Sequence, residues 1–160
     1  MTVRGTGSAV PERTVTNADF EKRIDTSDEW IRTRTGIRER RFVGPGENSL
    51  TLAVAASRRA LEAARLEPGD IDLIIVATST PYVPLPATAC FLQDVLGCRH
   101  IPAFDLSAAC SGFVYAFVTA AHMLGPDRYR NVLVVAAETM STITDFEDRG
   151  TCILLGDGAG

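Results

Sequence analysis

The 160-residue chain is 46% hydrophobic and 22% charged, enough apolar material for one compact globular domain and the wrong composition for disorder. A net charge of -4 and a pI near 5.2 argue against nucleic acid or an anionic membrane as partner, because both need a dominant positive field. Met1 to Val10 lacks a basic stretch followed by a long apolar run, and no apolar stretch reaches membrane-spanning length, so a cytoplasmic protein is the default expectation.

Thr2 to Ser8, carrying Gly5 and Gly7, reads as a first strand ended by Val10-Pro11. Asn17 is placed to cap a short helix reaching Ile24. In Thr26-Ser27-Asp28-Glu29-Trp30-Ile31-Arg32-Thr33-Arg34-Thr35-Gly36, Ser27 or Thr26 caps a second helix, the acidic pair suits its first turn and Gly36 suits its stop. Trp30 and Arg34 then lie four apart on one face. An aromatic beside a guanidinium can stack on a purine and reach a phosphate; the same spacing equally describes a half-buried tryptophan anchoring a surface helix, which is the commoner case. Arg38, Arg40 and Arg41 continue as a basic run, read as a solvated face or as a receiver for an acidic ligand.

Pro45-Gly46 breaks the chain, and Ser49 opens a long helix whose stripe of Leu50, Ala53, Val54, Ala60, Leu61 and Ala64 closes before Pro68-Gly69. Leu73 to Ala77 is nearly continuous apolar sequence, the pattern of a strand covered on both faces. Thr80-Pro81-Tyr82-Val83-Pro84-Leu85-Pro86 is too proline-rich for a central strand and too apolar for a free loop, so it packs on the domain's own surface or against a partner subunit or substrate channel. Ala87 to Leu96 reads as a helix ended by Gly97, and Ile101 to Leu106 as a short buried strand. Val132 to Ala137 is another strand, Glu138 to Arg149 is polar and loop-like with room for one helical turn, and Thr151 to Leu155 reads as a last strand entering Gly156-Asp157-Gly158-Ala159-Gly160. Strands alternating with helices define an α/β layered domain with a largely parallel sheet and no internal linker. A chain that stops inside a glycine-rich turn, straight after a core strand, is expected to be cut short.

The four cysteines, Cys90, Cys98, Cys110 and Cys152, lack paired metal-ligand spacing, so neither zinc nor a disulfide framework is expected. Cys110 stands out. Asp105-Leu106-Ser107-Ala108-Ala109-Cys110-Ser111-Gly112 is a strand end passing through small residues into a helix, where Phe113, Val114, Phe117, Val118, Ala121 and Leu124 recur at helical spacing. Amides and the positive end of the dipole at a helix N-terminus favour a thiolate and can hold a developing oxyanion. A small thiol where a helix packs on a strand is also a common core residue, and position alone leaves both readings open. Neither histidine can serve as a partner: His122 lies roughly 18 Å along the same helix, and His100 roughly 20 Å away beyond the far end of the strand.

Three separated segments, Thr26 to Arg40, Asp105 to Phe113, and Asp148-Arg149-Gly150-Thr151 with Gly156 to Gly160, together resemble the N-terminal half of a β-ketoacyl-acyl carrier protein synthase III, a thiolase-fold condensing enzyme. The resemblance implies a thiolase-like layered α/β fold, with residues 1–160 as an N-terminal domain whose mostly parallel mixed sheet is flanked by helices, in a homodimer. It implies that Cys110 takes an acyl group from acyl-CoA, a substrate rather than a cofactor, and that the acyl-enzyme condenses with malonyl-acyl carrier protein with loss of carbon dioxide. By the same likeness Trp30 and Arg149 sandwich the CoA adenine, Thr26 and Arg34 make nearby nucleotide contacts, and Leu85 crosses a dimer interface into the neighbour's acyl pocket. Family members are about twice as long, and their catalytic histidine and asparagine lie in the other half. These residues alone are therefore not expected to decarboxylate a malonyl thioester. Leu155 stands where the fatty-acid enzymes commonly carry phenylalanine, which implies a roomier acyl pocket. Two alternatives follow: an acyltransferase of secondary metabolism with a non-malonyl acceptor, or a non-catalytic CoA-binding module.

Overall fold

The run of five apolar residues at Leu73–Ala77 can be buried only if both of its faces are covered, and the structure is arranged to cover them. In the computed structural model, which describes residues 1–160, the elements in chain order are β1 (Thr14–Thr16), α1 (Asn17–Glu21), α2 (Asp28–Thr35), β2 (Glu39–Arg41), α3 (Ser49–Ala64), β3 (Leu73–Ala77), α4 (Thr88–Leu96), β4 (Ala103–Leu106), α5 (Gly112–Met123), β5 (Val132–Thr139) and β6 (Asp157–Ala159). The main sheet has the order β4-β3-β5-β6, with β3 parallel to both neighbours and β6 antiparallel to β5. It is the mostly parallel mixed sheet expected.

Alternation along β3 divides the core into two layers. Ile74 and Val76 face Ala53 and Leu61 of α3 and Leu92 and Leu96 of α4. Leu73, Ile75 and Ala77 face Ala116 and Ala120 of α5. Each fully buried aliphatic side chain contributes about 1.5–3 kcal/mol. On α5 only the small residues Gly112, Ala116 and Ala120 are buried, whereas Phe113, Val114, Tyr115 and Val118 are exposed. The helix thus approaches β3 closely and turns its large apolar residues outward.

Several boundaries differ from the sequence reading. Thr2 to Ser8 forms no strand; only Ala9 pairs, exchanging 2.8 Å hydrogen bonds with Ala159. The segment lies instead against α3, so closely that a Cβ on Gly5 would come within 2.5 Å of the Ala60 carbonyl and one on Gly7 within 2.5 Å of the Ala60 amide. Thr16, not Asn17, caps α1, which stops at Glu21. α3 opens at Ser49 as read, with Asn48 capping it through the Thr51 amide at 3.0 Å. The β1–β2 hairpin was not anticipated, because three-residue strands are too short to show alternation. Thr151 to Leu155 is a series of turns, and the glycine-rich stretch after it supplies β6. There the buried Asp157 carboxylate accepts from the Val43 amide at 2.7 Å, the Ser141 amide at 2.8 Å and the Ser141 hydroxyl at 2.5 Å. Glycines inside a strand mark close backbone approach, a signal first read here as a turn.

Gly7→Ala should lower the thermal midpoint by several degrees because the helix must retreat. Gly69→Ala, where nothing lies within 4 Å of the added methyl, should leave it unchanged or slightly raised in the same melts.

Candidate active site

β4 delivers the chain to the end of the sheet, where the Leu106 carbonyl accepts from the Thr78 amide at 3.2 Å. The chain then reverses within a few residues. Ala109 adopts φ 46°, a left-handed conformation that costs a residue with a Cβ about 1–2 kcal/mol. A single 3-10 turn, Ala109–Ser111, leads into α5. Cys110 sits in that turn, two residues ahead of α5, at the strand-to-helix junction where the sequence reading placed it. A Cβ on Gly112 would stand 3.4 Å from the Ala77 side chain, so a glycine here lets the helix start press on the end of β3. The strained turn pushes the next residue outward, and Cys110 is exposed, whereas Cys90 and Cys98 are half-buried and Cys152 is buried. Burial pushes the thiols of Cys98 and Cys152 up, the second helped by the nearby Asp148 charge. The accessible sulfur next to first-turn helix amides is therefore that of Cys110. His122 has Nδ1 2.8 Å from the Val118 carbonyl of its own helix, and no side-chain hydrogen bond or ion pair links either histidine to Cys110.

A second cluster forms around Trp30. Ser27 caps α2 by accepting from the Trp30 amide at 3.1 Å, and Gly36 ends the helix at φ 74°. Trp30 packs against the buried cluster of Val15, Phe20, Ile31, Phe42, Cys152 and Ile153. Two guanidiniums lie over its ring: Arg34 at 4.3 Å, as the helical spacing foretold, and Arg149 at 4.1 Å, brought from the far end of the chain. Arg149 is set by a turn in which the Asp148 carboxylate accepts from the Gly150 amide at 2.9 Å and the Thr151 hydroxyl at 2.5 Å. Those contacts, with the Thr151 hydroxyl first, hold the Asp148 carboxyl below its ordinary value of 3.8. Thr26 Oγ1, just before the Ser27 cap of α2, and Arg149 Nε, on the guanidinium over the ring, are buried without a hydrogen-bond partner and still able to bind. The pair of Arg149 with Asp25, at 4.0 Å and largely exposed, adds little.

Leu85 is 85% exposed at the tip of the loop between β3 and α4. Sequence reasoning missed what holds that loop. At its start the carboxylate of Glu138, the penultimate residue of β5, accepts from the Ser79 amide at 2.7 Å, the Thr80 amide at 3.1 Å and the Thr80 hydroxyl. At its end the Asp105 carboxylate caps α4 through the Thr88 and Ala89 amides at 2.7 and 2.8 Å. Leu155 is 41% exposed in the turn before β6. No hydrogen bond joins Cys110, Leu85 and Leu155 to the Trp30 cluster. A cavity of about 690 Å³ lies elsewhere, between the N-terminal segment, α3, α5 and β5, and contains none of these residues.

Arg40 corrects the reading of the basic run. It is 7% exposed, with one amino group donating to Asn17 Oδ1 at 2.8 Å and the other to the Ile153 carbonyl at 3.0 Å. Arg41 donates to the Pro11 and Glu12 carbonyls at 3.2 and 3.1 Å, which leaves Arg38 as the solvated member.

A buried parallel sheet between helical layers, with a cysteine presented where a strand hands over to a helix, is a thiolase-like α/β architecture. The family model for 3-oxoacyl-[acyl-carrier-protein (ACP)] synthase III matches residues 104–160. β-Ketoacyl-[acyl-carrier-protein] synthases III from Caldanaerobacter subterraneus subsp. tengcongensis and Roseiflexus sp. are 54% and 56% identical over 158 and 156 residues, 99% and 98% of this chain and 48% and 47% of their own. The crystal structure of 3-oxoacyl-[acyl-carrier-protein] synthase III from Aquifex aeolicus superposes with a TM-score of 0.94 at 50% identity, covering 97% of this chain and 50% of that one. The priming β-ketosynthase of the R1128 polyketide biosynthetic pathway does so with a TM-score of 0.94 at 46% identity, covering 98% and 47%. The chain belongs to the β-ketoacyl-acyl carrier protein synthase III family. It spans about half the length of the curated relatives it matches.

The Arg149 turn depends on an ionised Asp148. Because the folded carboxyl titrates below 3.8, its stabilisation is present above that value and is lost as pH falls through the lower folded one. Fluorescence of Trp30, the single tryptophan of the sequence, should change below about pH 4 before the far-ultraviolet circular dichroism of the whole chain does.

Proposed function

We propose that the full protein is an acyl-CoA-primed condensing enzyme and that these residues carry its nucleophile and nucleotide contacts. The observation that supports this best is the exposed Cys110, set outward by the left-handed Ala109 at the mouth of a buried strand. In the proposed first step Cys110 Sγ attacks the thioester carbonyl, amides of the turn and the first turn of α5 hold the oxyanion, and collapse expels the CoA thiolate to leave an acyl-cysteine. In the second, loss of carbon dioxide from malonyl-acyl carrier protein gives a carbanion that attacks the acyl carbonyl and returns the Cys110 thiolate. That step draws on groups outside these 160 residues, since neither His100 nor His122 stands with Cys110. No cofactor is invoked.

The CoA adenine is assigned to the space between Trp30 and Arg149, with Thr26 and Arg34 beside it; the unpartnered Thr26 Oγ1 and Arg149 Nε support this. A base stacked between them needs about 7 Å, two contacts of about 3.5 Å, against the 4.1 Å observed, so Arg149 must swing out by about 3 Å. Leu85, held out by a loop fixed at both ends, is assigned to the acyl pocket of a second copy in a homodimer, and Leu155 to the wall of the chain's own pocket. Four unpaired thiols suit a reducing, cytoplasmic setting, and no helix is long and apolar enough to cross a membrane.

Incubation of the longest natural form of the protein with an acyl-CoA should add one acyl mass that disappears in Cys110→Ala. CoA binding without acylation would replace this reading with a binding module. Release of carbon dioxide from a malonyl thioester separates condensation from transfer to another acceptor. Trp30→Ala should raise the KM for acyl-CoA roughly tenfold while changing the thermal midpoint little.

A further inference from the structure

Arg40 is buried and charged, no carboxylate touches it, and nothing in the proposed chemistry uses it. A guanidinium so placed is costly unless its donors are filled; Nε is buried without a partner, but both amino groups donate, and their acceptors come from two separate parts of the molecule. One amino group donates to Asn17 Oδ1 at 2.8 Å, and the Asn17 amide in turn donates to Asp28 Oδ1 and the Ile37 carbonyl, both at 2.8 Å. Asp28 is the first residue of α2, two before Trp30, and Ile37 follows its stop; the relay therefore grips both ends of the helix that carries the tryptophan. The other amino group donates to the Ile153 carbonyl at 3.0 Å, in the turns between Arg149 and Leu155. The guanidinium also lies 4.6 Å over the Phe20 ring, in the cluster on which Trp30 rests. A single planar group thus ties the element bearing one wall of the cleft to the segment bearing the other.

We propose that Arg40, acting through Asn17, is a positioning residue that sets the gap between the Trp30 ring and Arg149, and so the fit of an adenine nucleotide thioester as against a thioester without the nucleotide. The proposal rests on the nucleotide assignment made above. A fork that bonds to both sides holds them at a fixed separation while leaving the Arg149 side chain free to swing. A lysine keeps the charge and reaches one acceptor, so the Ile153 segment and α2 lose their common reference.

The test compares steady-state kinetics of the longest natural form, wild type and Arg40→Lys, with one acyl group presented on CoA and on N-acetylcysteamine, which lacks the nucleotide. Arg40→Lys should raise the KM for acyl-CoA roughly tenfold with kcat within about twofold, and leave the KM for the truncated thioester unchanged. Equal losses on both substrates would reduce Arg40 to a general structural role and overturn the proposal, as would no loss on either. A wild type that does not favour acyl-CoA over the truncated thioester would instead sink the nucleotide assignment itself, and the proposal with it. If Arg40→Lys does not fold, Asn17→Asp keeps an acceptor for Arg40 but removes the donor to Asp28 and Ile37, and the same split between the two substrates is expected of it.

Discussion

The site depends on a change of direction made in very little chain. β4 is locked in parallel register to β3 as far as Leu106, and α5 must come back across the other face to cover Leu73, Ile75 and Ala77. Between the two lie only Ser107 to Ser111. Ala109 takes the left-handed conformation, and the core burial on either side, many times larger than one residue's strain, holds it there. The exposed sulfur thus stands at the start of the helix that covers one face of a two-sided strand. The same demand explains the small residues around it: Gly112 and Ala116 are what a helix can place against Ala77 without being forced away.

The sheet, the long helix and the position of Cys110 where a strand gives way to a helix were legible because they are written in patterns that burial imposes locally. Five apolar residues at Leu73–Ala77 have one reading, and Ser27 with Gly36 brackets α2 at both ends. What failed to read was set by distant partners. Gly5 and Gly7 looked like strand glycines, yet they serve contact with α3, and Gly158 looked like a turn glycine, yet it lies in a strand. Arg40 looked solvated because a run of arginines usually is. Its burial follows from acceptors at Asn17 and Ile153, and no local window contains both. The spacing of Trp30 and Arg34 was visible; the second guanidinium, from Arg149, entered through resemblance alone.

Carboxylates organise the parts of the site that carry no regular structure. Glu138 and Asp105 fix the two ends of the Leu85 loop, Asp148 shapes the turn that presents Arg149, and Asp157 binds the Val43 and Ser141 amides to the start of β6. Glu138, Asp105 and Asp157 each fill two backbone donors, and Asp148 one amide and a hydroxyl, that would otherwise be left bare where strands stop and loops begin. Glycine, proline and exposed apolar residues make these loops irregular, so local propensity does not define them. A carboxylate that accepts from one or two amides and often a hydroxyl does, and it does so without closing off the side chains the loop presents. Leu85 can therefore stand almost fully exposed at a defined position, and Arg149 can lie on an aromatic face while its backbone stays fixed. The main chain is fixed by these bonds while the side chains it presents are left free, the division of labour that the proposed binding of a long, jointed thioester requires.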